Sequence, residues 1–153
     1  MRELALALGL VVAAASAQAQ EIIDGTDPLR VLNVARDYGE AALTADGIGD
    51  PMIEGRIGAK EYRLDFYGCS ENRDCGALLF STSWEQEGMN DTDMAAWNRK
   101  RRIGKAYLEK DGRATIEMNV NLRGGVTRNN LDDTFDWWRT VLKEFAREHS
   151  LKN

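Results

Sequence analysis

Ala114-Thr115-Ile116-Glu117-Met118-Asn119-Val120-Asn121-Leu122, then Arg123-Gly124-Gly125-Val126-Thr127, then Leu131, Phe135, Trp138, Leu142 and Phe145: over this reach the apolar spacing changes from every second residue to a repeat of four and three. Strict alternation is the pattern of a strand with one buried face, because successive side chains of a strand point to opposite sides. Spacing by four and three is the stripe of an amphipathic helix. Thr127 supplies the side-chain oxygen that a helix start needs, and Val126 and Leu131 flank it as a hydrophobic staple. Gly124-Gly125 is the turn between the two elements. Asp132, Asp133 and Asp136 near the helix start and Lys143 and Arg147 near its end suit the helix dipole.

Upstream, Asp111-Gly112 is a hairpin turn signal, so Arg113–Leu122 pairs with a strand over Ile103–Glu109. A helix spans about Thr92 to Lys100, capped by Asp91 or Thr92, and carries Met94 and Trp97. Ala77–Trp84 reads as a strand with Leu78, Phe80 and Trp84 on one face. In Glu61–Tyr67, Tyr62, Leu64 and Phe66 alternate with Arg63 and Asp65, and Gly58 joins this strand to Met52–Ile57. Ala41–Ala45 is a further short strand. Before it, Asp27 caps a helix that has Pro28 at its first position, turns Val31, Leu32 and Ala35 inward and ends at Gly39. These elements make an α+β layer: an antiparallel sheet with helices packed on its apolar face. Its other face is polar, with Tyr67 and Tyr107 on it.

The amino-terminal stretch differs from all of this. A short positive end, Met1-Arg2, precedes the uncharged apolar run Leu4–Ala15, which closes on Ala17-Gln18-Ala19. That is the three-part pattern of a secretory signal peptide cleaved after Ala19. The run is too short to span a bilayer, which takes about 20 apolar residues. Residues 20–153 then form one domain, released from the membrane after cleavage. Cys69 and Cys75 are the only cysteines. In an exported chain such a pair reads as a disulfide, here a clip across a hairpin loop. The competing zinc reading needs further Cys or His ligands, and a redox role favours a tighter spacing.

Chemistry has little to build on. A Ser-His-Asp or Cys-His site would have to use His149, the one histidine, which lies on the helix stripe near the chain end. No phosphate loop, dinucleotide fingerprint or metalloprotease helix is present. Asp24-Gly25-Thr26-Asp27 and Asn90-Asp91-Thr92-Asp93 do not follow the twelve-residue calcium loop and each precedes a helix, where capping accounts for them. A net charge of −5 disfavours nucleic acid. The sole basic run, Arg99-Lys100-Arg101-Arg102, follows Trp97-Asn98; it fits a helix end, yet Arg beside Trp is also the composition of interface anchors. Trp137 sits at the edge of the closing helix's stripe.

Several of these segments occur in an order that resembles the YbjN family of small bacterial proteins, described as sensory transduction regulators. They are Asp46-Gly47-Ile48-Gly49-Asp50-Pro51, Tyr62 with Phe66-Tyr67-Gly68-Cys69, Trp97-Asn98 with Arg101 and Arg102, and Met118–Leu122 with Gly124-Gly125-Val126-Thr127. The resemblance implies a fold similar to type III secretion chaperones, often paired as dimers, with no catalytic residues and no cofactor. The signal peptide and cysteine pair depart from cytoplasmic members. The expectation is a non-catalytic envelope protein that binds a protein or peptide and forms a homodimer. Its candidate contacts are Trp97, Asn98, Arg101, Arg102, Tyr107 and Trp137. The alternatives are a small carboxylate-dependent envelope hydrolase, which needs two facing acids in a pocket, and a structural subunit of an envelope complex.

Overall fold

The computed structural model describes residues 20–85 and 88–151; residues 1–19, read above as an export signal, lie outside the described residues. In chain order the elements are β1 (Ile22–Ile23), α1 (Pro28–Tyr38), β2 (Ala41–Ala45), β3 (Pro51–Ile57), β4 (Lys60–Tyr67), β5 (Ala77–Trp84), α2 (Asp91–Lys100), β6 (Lys105–Leu108), β7 (Ala114–Asn121), β8 (Val126–Thr127) and α3 (Arg128–Glu148). Strands β2 to β7 form one antiparallel sheet in the order β2-β3-β4-β5-β7-β6. The chain runs as a meander through β5, crosses over by way of α2 to the far edge as β6, and returns as β7 to fill the gap.

The alternation in Ala114–Asn121 buries Ala114, Ile116 and Met118 under α3, in register with Trp84, Thr82 and Phe80 of β5. Along α3, Leu131, Phe135, Trp138, Leu142 and Phe145 are all buried, as the stripe requires. Phe135 meets Phe80 edge-on at 4.9 Å and stacks on Tyr38 of α1 at 5.2 Å; Phe145 packs against Trp97 and Trp84 at 5.0 and 5.2 Å. Each aromatic of this kind buries a large apolar area and adds a preferred ring geometry. Gly55 of β3 is required by packing: a Cβ there would lie 2.4 Å from the Tyr62 ring that crosses it.

The sequence expectations need three adjustments. The cap of α2 is Asn90, whose side chain accepts from Thr92 and Asp93 while Asp93 reaches back to the Asn90 N–H, a capping box one step earlier than expected. The hairpin arms are shorter than Ile103–Glu109 and Arg113–Leu122, at four and eight residues. A second sheet, β1 with β8, was not expected: Ile23 is fully buried opposite Val126, and Arg128 N–H donates to Glu21 O at 2.9 Å. The disulfide joins Cys69 to Cys75 across the β4–β5 loop. Cys75 N–H also donates to Gly25 O at 3.0 Å, which ties that loop to the start of the chain.

Candidate functional site

Among the described residues, concavities open on either side of the sheet. One lies on the face away from the helices, an open trough of about 880 Å³. Several of its polar and charged groups are already engaged. Arg63 holds the buried Asp65 at 2.6 Å, Tyr107 Oη reaches Glu117 at 3.4 Å, Thr115 donates to Glu109 at 3.2 Å, and Lys60 Nζ donates to Ser83 O at 2.6 Å. Burial, with the Glu117 and Glu109 charges, pushes the Tyr107 phenol up to about 12, and burial holds the Lys60 amine below its ordinary value. A ligand here would have to displace contacts that already pair.

The other concavity, about 760 Å³, lies at the sheet edge between α2 and α3. It starts from α2. Trp97 is buried, 1% exposed, and its Nε1–H donates to Gly104 O at 2.7 Å, anchoring the turn that leaves the helix. Gly104 is in the left-handed region at φ 76°, and a Cβ on it would lie 2.7 Å from Val141 of α3. The chain therefore joins the sheet only at Lys105, opposite Glu117. Asn98 then uses both ends of its amide: Ala106 N–H donates to its Oδ1, and its Nδ2 donates to Ala106 O, each at 2.8 Å. One side chain thus occupies the outward backbone groups of Ala106 on the outer edge of β6.

Strand β7 runs on to Asn121, so residues 118–121 have β5 on one side and, among the described residues, no strand on the other. In an antiparallel ladder the N–H and C=O of successive residues face alternate sides. Ala106 faces outward to Asn98, so its neighbours Lys105 and Tyr107 face β7, and their partners Glu117 and Thr115 face back. By the same alternation Asn119 and Asn121 aim their backbone groups into the open edge. Leu122, one step on, donates the other way, to Gly76 O at 2.9 Å.

Around this edge stand Met118, Val120, Val126 and the half-exposed ring of Trp137, with Asn130 and Thr134 along the α3 rim. Arg101, Arg102 and Lys105 close one end. Arg101 lies over the Trp97 ring at 5.0 Å and pairs with Glu144 and Glu148 at 3.1 and 3.2 Å. Its contact pins the end of α2 to the end of α3. Lys100 adds a bond to Glu148 at 3.0 Å, and these cations hold the Glu148 carboxyl below its ordinary pKa. Arg102 is exposed and has no ion pair among the described residues.

Of the residues singled out from sequence, the groove brings together Asn98, Arg101, Arg102 and Trp137. Trp97 belongs to the core beneath them, and Tyr107 opens onto the trough on the opposite face. His149 is half-buried against Phe145, with ring centroids 4.6 Å apart. Sequence reasoning missed the free backbone of Asn119 and Asn121, because an unpaired edge belongs to no side chain. The unequal arms of the 103–122 hairpin were the one signal for it.

No curated protein matches the chain significantly. The family profile of YbjN, described as "putative bacterial sensory transduction regulator", matches residues 28–149. That span runs from the first residue of α1 to the C-cap of α3. It takes in every strand of the large sheet and the whole edge groove, and the chain belongs to the YbjN family.

Proposed function

We propose that this YbjN-family protein is an exported, non-catalytic binding or adaptor protein of the bacterial envelope, chaperone-like in capturing a protein or peptide segment. The observation that carries the proposal is Trp137. It is 50% exposed on a helix whose other large apolar side chains are buried, and it faces a groove floored by apolar residues beside an unpaired strand edge. Exposed aromatic surface next to polar rims is the composition of binding hot spots. Export is supported by the signal-like pattern of residues 1–19 and by the Cys69–Cys75 disulfide, which persists in oxidising compartments. Among the described residues no helix is long and apolar enough to cross a membrane. The family's description as a regulator suits an adaptor.

The test is site-specific photocrosslinking of the full-length, exported protein in living cells. A photoreactive residue in place of Trp137 is expected to give a discrete adduct. The same residue in place of Ile48, which is 80% exposed in a distant turn, is expected to give none. An adduct of twice the chain's mass identifies a second copy in the groove. Absence of any adduct at Trp137 argues against the binding reading.

A further inference from the structure

We infer that the open edge of β7 takes up the C-terminal end of an extended peptide, added antiparallel as a continuation of β6, with its terminal carboxylate at Arg102 and Lys105. This rests on the binding reading above and names the class of ligand.

The backbone supplies the first reason. Asn119 and Asn121 each offer one N–H and one C=O into a groove wide enough to hold chain. A strand edge in that state is a template for another strand, and it is usually blunted in proteins that do not use it. Here Asn98 blunts the neighbouring edge at Ala106, and the blunting stops where the groove begins.

Direction is the second reason. Strand β6 runs from Lys105, opposite Glu117, to Leu108, opposite Ala114. A peptide following the same line runs from the position opposite Asn121 to the position opposite Met118. Its last residue therefore arrives at Gly104 and Lys105. At that end Lys105 shares the Glu117 carboxylate at 4.0 Å and Arg101 is held by Glu144 and Glu148, while the exposed Arg102 has no ion pair among the described residues and is left to meet an incoming charge. A parallel strand would present its amino terminus to the same cations. Charge thus selects antiparallel addition and a free carboxylate.

Side chains give the third. The cross-strand partner of Val120 points to the helix side, as Val120 does, and meets Trp137 and Val126. The partners of Asn119 and Asn121 point to solvent. The ligand is therefore a chain end with an apolar residue shortly before the terminus and little restriction on the alternate positions.

The experiment uses the disulfide-intact protein, immobilised. It is challenged with random-sequence short peptides made in two forms, as free acids and as C-terminal amides. Retained peptides are expected to be free acids with a shared apolar position near the end. Amidation is expected to weaken binding about tenfold or more, the size of a lost charge-assisted hydrogen bond. R102E, at an exposed position, should weaken the acids to the same degree and leave the amides alone. Hydrogen exchange should slow at the amides of Asn119 and Asn121 on peptide binding. N119P removes one outward N–H without touching the β5 ladder and should abolish retention.

Equal binding of acids and amides overturns the inference, as does protection that falls on β2 or the polar trough, or the retention of no peptide. If crosslinks form at Trp137 in cells while peptide termini make no difference, this inference falls and the binding reading stands. If neither appears, both fall.

Discussion

Trp137 and Trp138 are adjacent in sequence, and about 100° of helix rotation separates their roles. Trp138 is fully buried, 5.5 Å from Phe80 and 6.4 Å from Tyr62. Trp138→Ala leaves a cavity under the sheet, with an expected loss of about 3–5 kcal/mol in the stability read from denaturant midpoints. Trp137→Ala should change stability by less than about 0.5 kcal/mol, since surface truncations away from special contacts rarely do more. It should nevertheless abolish peptide retention. Equal stability losses for the two would mean that Trp137 packs more than its exposure indicates.

The tyrosines give a pH prediction at the same scale. Burial is the first cause raising the phenol pKa at Tyr38, Tyr62, Tyr67 and Tyr107, above an ordinary value of 10.0. The folded state thus keeps protons that the unfolded chain releases near pH 10. The stability these groups contribute is complete below that pH and is lost as pH rises through the raised values, about 12 for Tyr107. Phenolate absorbance of the native protein should rise at higher pH than that of the denatured protein. Coincident titrations would contradict the burial of Tyr62 and the partial burial of Tyr38 and Tyr107.

Among the elements, the β6 start is the joint on which the groove depends. Gly104→Ala would put a methyl 2.7 Å from Val141 at a left-handed φ of 76°. The expected cost is about 1–3 kcal/mol, with the Trp97 indole bond disturbed as well. Near-ultraviolet circular dichroism and thermal unfolding would register both. An unchanged variant would mean that this turn has more room than its contacts allow. Asn90→Ala should cost about 1 kcal/mol through loss of the α2 capping box.

The same joint shows where sequence stops informing. Long periods survive translation into structure: the alternation through Ala114–Asn121 and the stripe from Leu131 to Phe145 were both legible. Each residue there repeats the same instruction to its neighbours. The length of β6 was not legible, because it is set by an indole donor on α2 and a valine on α3 meeting at Gly104. The two-residue strands β1 and β8 carry no period at all. The α2 cap slid by one because Asn90, Asp91 and Thr92 are all capping types in succession. For the site, Trp137 could be named as lying at the stripe's edge, but its company in the groove depends on where β6 begins.

For the whole molecule, the relevant feature is how the large sheet ends. Its two outer strands, β2 and β6, each offer a row of backbone groups. At one end Arg36 Nε donates to Ala41 O at 3.2 Å. At the other the Asn98 amide occupies both backbone groups of Ala106. Removing that amide by Asn98→Ala would bare the outer edge of β6 at Ala106, one strand further out than the open end of β7, and a bare edge invites molecules to stack into fibres. Light scattering on warming should rise earlier for this variant than for the parent protein at equal folded stability. A single asparagine would then be what keeps concentrated solutions of the protein colloidally stable.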